Sequence, residues 1–295
     1  MDTLVSITVV TPSGAVEMAE VEARIEHAFG WFEQVEACCS RFDPESEVMR
    51  LLERVGEPVA VSPMLYGLVR FALAVARQSR GAFDPTVGFL LERRGFNRDY
   101  RSGRRIISPL APDSSCSYRD VELDPGRRTI TLRRPLILDL GAVAKGLAID
   151  LAARELDCFD SFAINAGGDL FVRGGNADGV PWRIGIRHPR QTEHLIATLQ
   201  IHDQAVCTSG DYERRTTENQ DHHIVDPRTG APASGVISVT VIAPSAMVAD
   251  ALGTAAFVLG PARGIPWLER QGVEGLMILP TLDCVATRGF LRYLT

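Results

Sequence analysis

Apolar and polar residues alternate over Thr3-Leu-Val-Ser-Ile-Thr-Val-Val10, which predicts a strand with one buried face. A turn at Thr11-Pro-Ser-Gly14 ends it. From 18 to 37 the period changes, and Val21, Ile25, Ala28, Phe32 and Val35 fall on one face of a helix. Ser46 is placed to cap a short helix ending near Val55. Ser62-Pro63 starts another that runs to about Ser79, with Leu65, Leu68, Val69, Ala72 and Val75 as its core face. Tyr118–Asp124 and Arg128–Arg133 predict a hairpin around Asp124-Pro-Gly126. Pro135–Leu138 reads as a short buried strand feeding a helix from about Val143 to Leu156. Further strands are predicted at Ser161–Asn165, Trp182–Arg187, Leu195–Ile201 and Val236–Ala243. A helix, a strand at Gly275–Leu279 and a hairpin around Asp283 close the chain.

Strands often follow one another directly, so the pattern favours an α+β fold with mixed or antiparallel sheets over a doubly wound parallel sheet. The 295 residues suffice for one large domain or two intimate lobes, read here as a single domain over 1–295. The Arg-, Ser- and Pro-rich stretch at 97–117 is the candidate mobile loop or hinge between lobes.

The segment 245–259 is apolar nearly all round, with Ser245 as its N-cap and Gly260-Pro261 as its stop. Asp250 and Thr254 are its two polar residues, four apart and therefore on one face. A buried carboxylate needs a partner or a cation, and a hard cation such as Mg²⁺ takes oxygen ligands of this kind. The alternatives are a face that reaches solvent or an Asp–Arg pair.

A strand, a Gly turn and a helix start at Asp139-Leu-Gly-Ala-Val-Ala-Lys-Gly146 suit phosphate binding, with Lys145 as a point charge. The segment matches neither a Walker P-loop nor GxGxxG. Gly81-Ala-Phe-Asp-Pro-Thr-Val-Gly88 forces a tight loop in which Asp84 is by default a turn residue. In His222-His-Ile-Val-Asp-Pro-Arg-Thr-Gly230, adjacent histidines on a strand point to opposite faces. One would face a site as a base and the other solvent, or both would be solvated loop residues.

A net charge of −6 argues against a general nucleic-acid binder, and no apolar run is long enough to span a membrane. Six scattered cysteines without a CxxC pair suit reduced thiols rather than a disulfide framework or a zinc site.

Taken together, AFDPTVG, DLGAVAKG, NAGGD, TSGDYER, HHIVDPRTG and ADALGTA, with Ser40–Arg50, resemble the ApbE-like flavin transferases in order and over nearly the whole chain. The resemblance implies a T-fold-like architecture and an enzyme that splits the FAD pyrophosphate with Mg²⁺. FMN would pass to a Thr or Ser hydroxyl of an acceptor protein, and AMP would leave. Hydrolysis of FAD to FMN and AMP, or flavin binding without catalysis, are the alternatives.

By the same resemblance, the metal ligands are Ala142 (through its carbonyl), Asp250 and Thr254. Flavin-binding positions are Met1, Phe42, Ala82, Phe83, Asp84, Asp139, Lys145, Val225 and Gly253. His223 is the candidate general base, with Asp139 as the alternative, and Lys145 neutralises phosphate charge. Phe42, Phe83 and Val225 would wall the flavin ring. Met-Asp-Thr stands where the family has Met-Gly-Thr, Phe42 where Tyr is common, Leu52 where an Asn often closes the first motif, and Arg94 where a Trp is usual. No secretory leader is visible, which predicts a cytoplasmic protein, or an exported one if a leader has been trimmed. The expected oligomeric state is a monomer or homodimer.

Overall fold

The computed structural model describes residues 3–11, 17–99, 103–106, 110, 115–215 and 221–295. In chain order the elements are β1 (Val5–Val10), α1 (Met18–Cys39), α2 (Glu47–Leu52), β2 (Pro58–Ala60), α3 (Pro63–Gln78), α4 (Gly88–Arg93), β3 (Val121–Asp124) and β4 (Thr129–Leu132). Then come α5 (Gly141–Glu155), β5 (Ser161–Ala166), β6 (Asp169–Arg173), β7 (Trp182–Arg187), β8 (Leu195–Ile201), β9 (Gln204–Gly210), β10 (Ser238–Ala243), α6 (Ala246–Leu259), α7 (Pro261–Gln271), β11 (Glu274–Ile278) and β12 (Cys284–Ala286).

Seven strands form one sheet in the order β1-β5-β6-β9-β10-β11-β12, every neighbour antiparallel. β2-β4-β3 make a small second sheet, and β7–β8 a separate hairpin. The expected α+β fold with antiparallel sheets is what forms.

β10 is buried at all six positions because both faces of the large sheet are covered. Helices α5 and α6 pack on one face, with α1 against α5, and Val239, Val241, Ala249 and Phe257 are fully buried there. On the other face Ile184, Ile186, Leu199 and Ile201 of the β7–β8 hairpin pack against Val172, Val206 and Ile242.

The helix starts follow the sequence closely. Ser46, Ser62 and Ser245 accept hydrogen bonds from the backbone N–H groups of Met49, Leu65 and Val248. Gly260 closes α6 at φ +71°, a conformation that glycine adopts without strain.

Three expectations change. α2 ends at Leu52, three residues before Val55. Pro135–Leu138 joins no sheet; Ile137 bridges Val87 once, in parallel, and that bridge joins two motif loops. The short strand expected at the paired histidines is instead a loop held by single bridges, Arg215 to His222 and Val225 to Pro232. Of the candidate hinge at 97–117, residues 100–102, 107–109 and 111–114 lie outside the described residues, as does Met1.

Candidate active site

Two helices position the polar cluster around Lys145, and they cross closely. A Cβ on Gly146 of α5 would collide with the Ala246 and Met247 backbone at the start of α6. One turn further along α5, Asp150 turns its carboxylate onto that same helix start. It accepts from Ala246 N at 2.7 Å and Met247 N at 3.1 Å. Burial raises the Asp150 carboxyl, and these hydrogen bonds pull the other way. The contact fixes one helix against the other, and with it Lys145 against Asp250.

Lys145 is the chain's only lysine. Its ammonium contacts Asp169 Oδ2 at the start of β6 and lies 3.5 Å from Asp250 Oδ2, an ion pair rather than a hydrogen bond. Asp169 is 2% and Asp250 8% exposed. Asp169 Oδ1 accepts from Thr208 N at 3.0 Å, and the Thr208 hydroxyl meets that of Thr240 at 2.9 Å. Two buried carboxylates therefore share one ammonium, and Asp250 Oδ2 has no hydrogen-bond partner. Burial pushes the Asp250 carboxyl up, against the pull of Lys145.

Thr254 lies one turn beyond Asp250, and its Oγ1 is 3.4 Å from Ser209 Oγ. A Cβ on Gly253 would stand 3.3 Å from the same Ser209 Oγ, so glycine keeps that wall thin. An orphaned carboxylate oxygen, a hydroxyl and the half-buried Ala142 at the start of α5 are oxygen donors suited to a hard cation. Among the described residues no group of three His, Cys, Asp or Glu side chains has metal-binding geometry.

Asp139 sits beside this cluster and is spoken for. Its Oδ2 accepts from Arg41 Nε at 2.5 Å, and its Oδ1 accepts from Gly141 N at 2.9 Å at the start of α5. Burial alone would raise its carboxyl. The Arg41 charge, the Gly141 N–H and nearby Arg214 outweigh that and hold it below the usual range. A carboxylate so stabilised is a poor proton acceptor.

Arg41 itself is 6% exposed. It also donates to Phe96 O at 2.5 Å and lies over the Phe42 ring, 4.2 Å from its centroid. The 81–88 loop joins the same turn through Asp139 N to Pro85 O at 2.8 Å and Gly88 N to Ile137 O at 3.1 Å.

The two histidines part as expected, but not as one inside and one in solvent. His222 turns inward. Its Nε2 donates to Ala233 O at 3.0 Å, its Nδ1 accepts from Ile224 N at 3.3 Å, and its ring meets Phe257 edge-on. Both nitrogens are used, so it is structural. His223 is half-buried, with Nδ1 3.4 Å from Arg214 O and Phe96 edge-on at 6.4 Å. A carbonyl partner at Nδ1 selects the tautomer whose Nε2 is the free acceptor. Burial, with the Arg214 charge, lowers its pKa to about 4.

The other flavin positions divide. Phe42 is half-buried at the site, whereas Ala82, Phe83 and Val225 are buried. The Asp84 carboxylate accepts from Thr86 N, Thr86 Oγ1 and Tyr118 N, which makes it the turn residue that the Asp-Pro pair implied. Sequence reasoning gave no role to Arg41, Asp150 or Asp169. Only Asp169 had a local signal, as the polar end of a Gly-Gly turn.

A model of the ApbE family matches residues 1–277. The chain belongs to the ApbE family. A Treponema pallidum protein described as an FAD:protein FMN transferase is 35% identical over 92% of this chain and 82% of its own length. A Vibrio cholerae protein of the same description is 32% identical over 99% of this chain and 88% of its own. Among solved structures, the ApbE protein of Thermotoga maritima matches at TM-score 0.87 and 31% identity, over 99% of each chain. The flavin transferase ApbE of Vibrio cholerae matches at 0.84 and 29%, over 100% of this chain and 96% of its own. The fold of this ApbE-family chain is thus that of its solved relatives. Among its described residues, no helix is long and apolar enough to cross a membrane.

Proposed function

We propose that this chain transfers FMN from FAD to a Thr or Ser hydroxyl of an acceptor protein and releases AMP. The observation that carries the reading is the Lys145–Asp169–Asp250 cluster beside Thr254, in a chain whose relatives bear the transferase name.

The acceptor oxygen attacks the FMN-side phosphorus, the bond from that phosphorus to the bridging oxygen breaks, and AMP leaves with the bridge oxygen. The hydroxyl proton passes to Nε2 of His223, which is neutral at pH 7 and already oriented through Nδ1. Asp139 serves as an organiser rather than the base, because Arg41 and Gly141 engage both its oxygens. Lys145 places positive charge on the pyrophosphate. Asp250, the Thr254 hydroxyl and the Ala142 carbonyl would hold Mg²⁺. When bound, Mg²⁺ would neutralise charge on the phosphoryl oxygens. Phe42, the 82–84 loop, Val225 and Gly253 frame the flavin end. Met1 completes the flavin set by resemblance alone. Six cysteines that form no disulfide fit a cytoplasmic location.

Mass spectrometry of an acceptor after incubation with FAD and Mg²⁺ tests this. An added FMN mass, absent with Asp250→Ala, is expected. Free FMN and AMP in place of labelled acceptor would make the chain a pyrophosphatase. FAD bound but unchanged would make it a carrier.

A further inference from the structure

Away from this site, an open groove of about 760 Å³ runs between α3 and the β3–β4 hairpin. Arg70, Arg77, Arg119, Arg127 and Arg133 line it, against only Glu122 and Asp124. That leaves a surplus of three positive charges in a chain whose net charge is −6. The two carboxylates do not compete for a ligand. Glu122 pairs with Arg133, and Asp124 Oδ1 accepts from Gly126 N and Arg127 N inside the hairpin turn. Arg119 lies over the Tyr118 ring at 4.6 Å. Arg70, Arg77 and Arg127 are exposed and make no side-chain hydrogen bond or ion pair among the described residues.

Guanidiniums left unpaired around one groove repel each other unless an anion bridges them, and their planar forks suit carboxylates. Arg70 and Arg77 are two helical turns apart on one face of α3, about 10 Å along the axis. Three residues of an extended chain cover about the same distance. The groove is linked to the 81–88 loop through the backbone: Tyr118, the residue before Arg119 of the lining, donates its N–H to Asp84 Oδ2 at 3.0 Å.

We propose that this groove is the docking site for an acidic, extended polypeptide segment of the acceptor protein. This rests on the transferase reading above. Local positive charge on an acidic enzyme would steer an acidic acceptor to this groove.

A fluorescent oligo-glutamate decapeptide is the probe, read by anisotropy with the intact chain. Binding at low salt is expected, weakened roughly tenfold or more at 0.5 M NaCl, and lost in Arg70→Glu/Arg77→Glu with FAD affinity unchanged. Arg70→Gln/Arg77→Gln should lie between, which separates charge from misfolding. In transfer assays the charge-reversed variant should raise acceptor KM roughly tenfold at unchanged kcat. No peptide binding, binding indifferent to both variants, or tighter binding of single-stranded RNA or anionic vesicles than of the peptide would overturn the proposal. The peptide arm needs no catalysis, so its failure is distinct from a failure of the wild-type chain to transfer FMN.

Discussion

Arg94 closes on the carbonyl of Gly230, donating through Nε at 2.9 Å and Nη2 at 2.6 Å. Its Nη1 reaches Asp221 at 2.5 Å. Asp221 and Gly230 bracket His223, so one guanidinium pins both ends of the loop that carries the proposed base. Arg94→Met should lower kcat for FMN transfer roughly tenfold, because small displacements of a reacting group are expensive. FAD affinity should stay within about twofold, since Lys145 and Asp250 are untouched. Steady-state kinetics beside FAD titration decide it; an unchanged kcat would separate Arg94 from His223.

Lys145 is the only lysine among 31 Lys and Arg residues, and its compact ammonium sits between the Asp169 and Asp250 carboxylates. The planar guanidinium of Lys145→Arg would not fit between Asp169 and Asp250. We expect a loss of transfer on the order of 100-fold, despite the conserved charge. Amine acetylation should label this side chain and the N-terminus alone, and FAD should protect it. Peptide mapping that finds Lys145 equally labelled with and without FAD would remove it from the phosphate site.

The depressed His223 pKa sets a direction with pH. With a folded value of about 4 against 6.5, His223 stays a competent base down to mildly acid pH. The acid limb of kcat/KM, which reports the free enzyme, should therefore fall near pH 4 to 5, not near 6.5, and vanish in His223→Ala. Stability follows the same sign. Between pH 6.5 and 4 the unfolded chain takes up a proton that the folded one refuses, so stability declines as pH falls through that window. A limb centred near 6.5 would mean that the free enzyme's base is not this half-buried histidine.

Gly146→Val should destabilise the fold by about 1–3 kcal/mol, since its Cβ meets backbone that cannot rotate away. Asp150→Ala should cost about 0.5–2 kcal/mol through the lost cap on α6. Thermal melts with activity measured alongside report both. An unaltered melting temperature for Gly146→Val would show that the helices can part freely.

Local chemistry carried most of what the sequence made legible. Serine caps, the Gly260 stop and alternating strands each depend on a few neighbouring residues, and they appear where the spacing put them. Asp250 and Thr254 were visible because two polar residues interrupt an apolar helix. The organising contacts were not visible. Arg41 meets Asp139 across 98 residues, and Arg94 meets Gly230 across 136. No periodicity encodes such pairs, and an arginine in a loop looks solvated until the fold buries it. The same holds for Pro135–Leu138. Its apolar run matched a buried strand, yet it is buried by loop packing and forms a single bridge.

The Asp150 carboxylate ties the first turn of α6 to α5, and the proposed oxygen ligands stand on those two helices. In native-state hydrogen exchange, the Asp250 and Thr254 amides should therefore open only with the global unfolding of the core. The 221–230 loop, held by Arg94 and single bridges, should exchange earlier. A cation seat that forms with the core and a base on a looser strap would let the protein admit and release a bulky acceptor without loosening its grip on phosphate.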